Sequence, residues 1–142
     1  MLLFGHEKLD VYRLSLQYVA WVFQYVNDLT PKYKNVKDQL LRASQSIPLN
    51  IAEGNGKAGD ADRRRYFEIA RGSAVECAAA QDILEVCGAL SAEQNFEQKQ
   101  ILNRIAAMLT KLGNRGYRVQ EAEAEYDCSP PDEDFERETR TR

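Results

Sequence analysis

The chain has 142 residues, 44% of them apolar, with a formal net charge of −3 and one histidine. That length suits a single domain with a core of its own. No run of eighteen apolar residues exists to cross a membrane, and the charged opening MLLFGHEKLD does not read as a signal peptide. Three cysteines, Cys77, Cys87 and Cys128, lack metal-site spacing, and an odd count argues against a disulfide framework, so a reducing cytoplasm is expected. The net charge hides an asymmetry: residues 1–118 hold 16 Lys and Arg against 13 Asp and Glu, whereas residues 119–142 hold 3 against 9. A mildly basic body over residues 1–118 is therefore expected to precede an acidic tail over residues 119–142.

Four helical patterns follow in order, and no segment alternates as a strand would. The first covers about Glu7 to Leu29. Leu9, Tyr12, Leu16, Val19, Phe23 and Val26 repeat at four-three spacing, the seam of a bundle helix. A second stripe, Leu14, Tyr18, Trp21 and Tyr25, lies beside it, so one face is expected to serve the core and the other a second subunit. Thr30–Pro31 ends that helix, and Asn35 is a candidate N-cap for the next. Helix two carries Leu40, Ala43, Ile47 and Ile51 on one face. Pro48 should kink it, and Gly54-Asn55-Gly56 should stop it with a left-handed cap. Asp60 opens helix three, whose seam reads Phe67, Ala70, Ala74, Cys77, Gln81 and Leu84. Ser91 with Gln94 forms a capping box for helix four. That helix carries Leu102, Ile105, Leu109 and Leu112 and is expected to end around Gly113–Gly116. Short connections between long helices predict an all-α, up-and-down antiparallel four-helix bundle with a disordered or frayed acidic C-terminal tail.

Helix two also carries a polar line. Gln39, Arg42, Ser46, Asn50 and Glu53 fall three or four residues apart and share a face. Polarity so close to a core face must be satisfied by a buried network, a partner or a ligand. A structural network is expected in which Asn50 and Glu53 approach Ser73 and Glu76 of helix three, with Arg42 neutralising a carboxylate. The line offers little to catalysis. His6 is the only imidazole and lies near the terminus, so no Ser/His/Asp or Cys/His arrangement can be assembled. The paired Glu-x-x-His motifs of di-iron bundles are missing. GNGKAG at 54–59 fails the P-loop pattern because Lys57 is followed by Ala58 and no strand precedes it. No catalytic residue, metal ligand or cofactor is assigned, and the chain is read as not an enzyme.

The strongest charged feature is basic. Lys57, Arg63, Arg64, Arg65 and Arg71 surround the start of helix three, and Lys32, Lys34 and Lys37 extend the pattern. Three arginines at a helix N-terminus oppose the helix dipole, each at about 0.3–1 kcal/mol when exposed. They read either as a solvated face with local ion pairs or as a surface for nucleic-acid phosphates.

QLLRA at 39–43, SIPLNIAEGNGKAG at 46–59 and IARGSAVE at 69–76, with the opening FGHEKLDVYRLSLQYV, together resemble a known family. It is that of the bacterial four-helix bundle proteins encoded in intervening sequences of 23S ribosomal RNA genes. The resemblance covers roughly residues 4–117 and leaves the extension 119–142 outside the pattern. It implies an up-and-down bundle that assembles as a homo-oligomer, described as a pentamer, with no established enzyme activity. It also implies nucleic-acid binding, from the rRNA-gene context and from the similar accessory protein of diversity-generating retroelements. On this resemblance Gln39, Arg42, Ser46, Asn50 and Glu53 match the helix-two polar positions, and Gly72, Ser73 and Glu76 the helix-three motif. The expected function is a non-enzymatic, cytoplasmic, oligomeric bundle that binds RNA, another nucleic acid or a nucleic-acid-processing partner. The alternative is a protein-directed assembly scaffold.

Overall fold

The computed structural model describes residues 1–122, with side chains through residue 114. Four α-helices make up the fold: α1 (Asp10–Val26), α2 (Lys34–Asn55), α3 (Asp60–Val86) and α4 (Ala92–Ala122). Short 3-10 turns, Gly5–Lys8 and Pro31–Tyr33, precede α1 and α2. Among the described residues there is no strand. Each helix packs on its neighbour in sequence, and α1 closes the ring against α4, which is the up-and-down antiparallel bundle. No helix among the described residues is long and apolar enough to cross a membrane.

The seams of α2, α3 and α4 lie where their spacing puts them. Leu40, Ala43, Ile47 and Ile51 meet Phe67, Ala70, Ala74, Cys77, Gln81 and Leu84, with Leu102, Ile105 and Leu109 completing the core. The seam of α1 does not. Its buried residues are Val11, Ser15, Tyr18, Val22 and Val26, whereas Leu16 and Phe23 face outward at 43% and 47% exposure. Of the expected core stripe, Val26 is buried and Leu9 and Tyr12 pack against the core while Leu16 and Phe23 belong to the outer face, and the stripe reserved for a second subunit belongs mostly to the core. Both stripes are apolar, so periodicity alone could not choose between them.

Several boundaries are set by local chemistry that differs from expectation. Pro31 starts a 3-10 turn that runs directly into α2, so Asn35 already lies within the helix and does not cap it. Helix α3 begins at Asp60 itself, with Gly59 as the cap position. Helix α2 continues through Pro48, which is buried and deprives the carbonyl of Ser44 of its helical donor. The end at Gly54-Asn55-Gly56 uses no left-handed residue: Gly56 has φ −80° and donates to Ala52 and Glu53. The left-handed cap closes α3 instead, at Gly88 with φ 80°. There the N–H of Ala89 donates to the carbonyl of Leu84 at 2.8 Å and that of Gly88 to Glu85 at 2.9 Å. Ser91 caps α4 by accepting from the N–H of Gln94 at 3.1 Å. Helix α4 then runs past Gly113 and Gly116 to Ala122, since an interior glycine costs about 1 kcal/mol without breaking a helix. Of the expected acidic tail, residues 123–142 lie outside the described residues.

Gly54 is required for close packing. A Cβ there would sit 2.8 Å from Cε1 and 2.9 Å from Cδ1 of Phe67, a ring that is 1% exposed. Gly72 allows no such approach: it is exposed, and nothing lies within 4 Å of its Cβ position.

Candidate nucleic-acid interface

The antiparallel register of α2 and α3 decides which polar residues meet. Ser46 faces Ser73, whose hydroxyl lies 2.9 Å from that of Ser46, and Gly54 faces Phe67. Moving forward along α2 therefore means moving backward along α3. Asn50 and Glu53 recede from Ser73 and Glu76 instead of approaching them, which corrects the expected network. Asn50 donates within its own helix, to the carbonyl of Ser46 at 2.8 Å and its hydroxyl at 2.9 Å. Glu53 is exposed and pairs with Lys57 at 3.7 Å, while Gln39, Arg42 and Glu76 are also exposed. Arg42, Ser46 and Asn50 border an open groove of about 430 Å³ on the outer side of α2, together with Asp38, Gln45 and Leu49.

The deeply buried polar network lies elsewhere. Tyr18, with no exposed surface, reaches across the core from α1 and donates its hydroxyl to Oε1 of Gln81 on α3. Nε2 of Gln81 donates to Oδ1 of Asn95 on α4 at 3.0 Å. Nδ2 of Asn95 donates to Asp82 at 3.0 Å and Glu85 at 3.2 Å, and Lys99 reaches Asp82 at 2.8 Å. Burial lifts the hydroxyl of Tyr18 far above its ordinary pKa, with the Cys77 thiol beside it adding to the shift. Burial likewise pushes Cys77 up to about 12. At Asp82 burial opposes ionisation, but hydrogen bonds from Lys99 and Asn95 and the charge of Lys99 outweigh it and hold the carboxyl below its usual range. The signal for this network was a glutamine at position 81 inside an otherwise apolar seam.

Of the stripe expected to be an oligomer interface, Tyr18 is taken into the core and Leu14, Trp21 and Tyr25 are half-buried. Tyr18 is enclosed within its own chain, and the hydroxyl of Tyr25 donates to the carbonyl of Ala89 at 2.7 Å. Trp21 stacks on Tyr25 with ring centroids 5.1 Å apart, and Leu14 packs against the core. Tyr18 and Tyr25 thus have partners on α3 and on the turn after it, whereas the rings against Trp21 are those of Tyr18 and Tyr25 on its own helix.

The basic residues gather at the end of the bundle where α2 ends, α3 begins and α4 passes. Lys57 lies over the ring of Tyr66 at 5.3 Å, and Arg63 over Phe67 at 5.8 Å with a 3.5 Å bond to the carbonyl of Asn55. Successive helical residues turn by about 100°, so the three arginines fan out. Arg63 turns to α2, the Cγ of Arg64 lies 3.5 Å from where a Cβ on Gly113 of α4 would be, and Arg65 is exposed. Arg71 is two turns farther on, along the line of Arg64, and half-buried. Lys32, Lys34 and Lys37 do not extend this surface. They occupy the opposite end of α2, roughly 30 Å away at 1.5 Å per residue. Of the cations of α4, Lys111 is exposed two residues before Gly113, whereas Lys99 pairs with Asp82 toward the other end of the helix. The other end of the α3–α4 pair is acidic, with Glu76, Asp82, Glu85, Glu93 and Glu97.

Among the described residues no group of His, Cys, Asp and Glu is placed to hold a metal ion. The model of the 23S rRNA-intervening sequence protein family matches residues 7–111. The chain belongs to that family. Its members' shared segment thus spans α1 through most of α4 and stops short of the acidic extension. No curated protein sequence matches. Among solved structures, the chain is similar to a crystallised protein of unknown function from the S23 ribosomal protein family of Bacteroides thetaiotaomicron. The TM-score is 0.65 and the identity 23%, over 72% of this chain and 96% of that one, a likeness that concerns the fold.

Proposed function

We propose that the protein is a non-enzymatic, cytoplasmic bundle that binds RNA or another nucleic acid as a homo-oligomer, through the basic end of its α3–α4 pair. One observation carries this reading. In α4 Glu93 and Glu97 lie near the N-terminus and the cations follow, with Glu121 in the last turn, largely the distribution that stabilises a helix dipole. In α3 Asp60 and Asp62 occupy the first turn as the dipole favours, but Arg63, Arg64 and Arg65 follow directly, and Asp82 and Glu85 lie near the end. Helix stability explains the first arrangement but, in the second, only Asp60 and Asp62 and not the arginines beside them. What the two share is a cationic end, the form that phosphate recognition requires. The family's name, which refers to 23S rRNA, supports the choice of RNA.

The test is a filter-binding titration with structured RNA at several salt concentrations. About four phosphate contacts give a slope of log K against log salt near −3. Arg63→Ser, Arg64→Ser and Arg65→Ser together should weaken binding to all sequences and flatten that slope. A salt-independent affinity, or one unchanged in the triple variant, defeats the reading. The alternative of a protein-directed scaffold is favoured by a different feature. Ile69, Val75, Ile83 and Val86 line the outer face of α3 at 42%, 58%, 50% and 85% exposure, an apolar strip suited to protein contact.

A further inference from the structure

We infer that the acidic C-terminal segment, residues 123–142, docks on the basic end of the α3–α4 pair and competes there with nucleic-acid phosphate. The inference rests on the proposed function for its consequence but not for the contact itself. Two observations lead to it. The first is the place where the segment leaves the bundle. Gly113 of α4 lies beside Arg64, so Ala122 stands only about 14 Å farther along the axis, at the cationic end and not the acidic one. Five extended residues span that distance, and twenty follow Ala122. The second is charge. Residues 123–142 hold eight Asp and Glu against three Arg, while Lys57, Arg63, Arg64 and Arg65 outnumber Glu53, Asp60 and Asp62 where α2 ends and α3 begins. A tethered polyanion has a local concentration near the millimolar range, so weak ion pairing suffices for substantial occupancy.

Zero-length carbodiimide coupling of the full chain, read by peptide mass spectrometry, tests the contact without any nucleic acid. Lys57 should couple to carboxylates of the segment, and far less so Lys32, Lys34 and Lys37 at the opposite end. Raising salt from about 0.05 M to about 0.5 M shortens the screening length several-fold and should suppress the Lys57 product. So should the triple Arg→Ser variant, which keeps every lysine and whose helical content is checked by circular dichroism. Products spread evenly over all lysines, or indifferent to salt and to the arginines, overturn the inference. A second arm neutralises Asp132, Glu133, Asp134, Glu136 and Glu138 as Asn or Gln in the full chain. RNA affinity should then rise about two- to tenfold. Coupling at Lys57 without any RNA binding sinks the proposed function and leaves the docking intact. RNA binding through the arginines without Lys57 coupling, or with an affinity unmoved by the neutralised segment, does the reverse.

Discussion

Gln81 is the residue on which three helices converge. Its amide accepts from Tyr18 and donates to Asn95, and it is fully buried. Gln81→Leu keeps the volume but leaves both partners unsatisfied, so a loss of about 1–3 kcal/mol is expected, measurable by urea denaturation. Asn50→Ala should cost much less, because Asn50 bonds only to Ser46 within its own helix. Asp82 adds a pH dependence. Its folded-state pKa is below the unfolded value near 3.9, so its stabilising contribution is present above about pH 4 and is lost as the pH falls through the folded value. Asp82→Asn should flatten the acid limb of a stability–pH curve, and an unchanged limb would remove Asp82 from the account. The two described cysteines should also differ. Cys77 is buried with a raised pKa, and Cys87 is exposed. A thiol reagent at mild alkaline pH should modify Cys87 in the native protein and Cys77 only after unfolding.

At the scale of elements, α2, α3 and α4 were legible because one apolar stripe stands against polar residues on each of them. Helix α1 was not, because Leu16 and Phe23 look as core-like as Val11 and Val22, and only the position of the other three helices decides between them. The polar line of α2 was visible as a line, but its partners depended on register, which no single helix specifies. The run of arginines at Arg63–Arg65 is visible in the sequence, but not that the helix fans them toward α2, α4 and solvent. Lys32, Lys34 and Lys37 are near it in sequence but lie at the opposite end of α2, whereas the fold brings Gly113 of α4 beside Arg64. Gly54 and Gly72 separate the two uses of small residues. Gly54→Ala forces a methyl into Phe67 and should destabilise by about 1–3 kcal/mol. Gly72→Ala meets nothing and should stabilise by about 0.5–1 kcal/mol. Thermal melts of the two variants should shift in opposite directions.

For the molecule as a whole, the apolar surface left outside the core defines where copies would associate. Among the described residues it includes Leu16 and Phe23 on α1, Leu49 on α2, the strip from Ile69 to Val86 on α3 and Phe96 on α4. If the protein self-associates as proposed, Val75→Glu and Phe23→Glu should lower the mass measured by sedimentation while leaving helical content unchanged. A mass equal to one chain for the parent protein at micromolar concentration would end that expectation. The Tyr18–Gln81 bond has a further, kinetic consequence. Contacts between successive helices are short-range, whereas this bond joins residues 63 apart in the chain. Short-range contacts form early and long-range ones late, so the bond belongs to the final closure of α1 onto the preformed α2–α4 layer. A group that engages only after the transition state governs departure and not arrival. Gln81→Leu should therefore speed unfolding by roughly tenfold for each 1.4 kcal/mol lost while leaving the refolding limb of a chevron plot in place. The polar triad then acts as a latch that sets how long α1 stays closed.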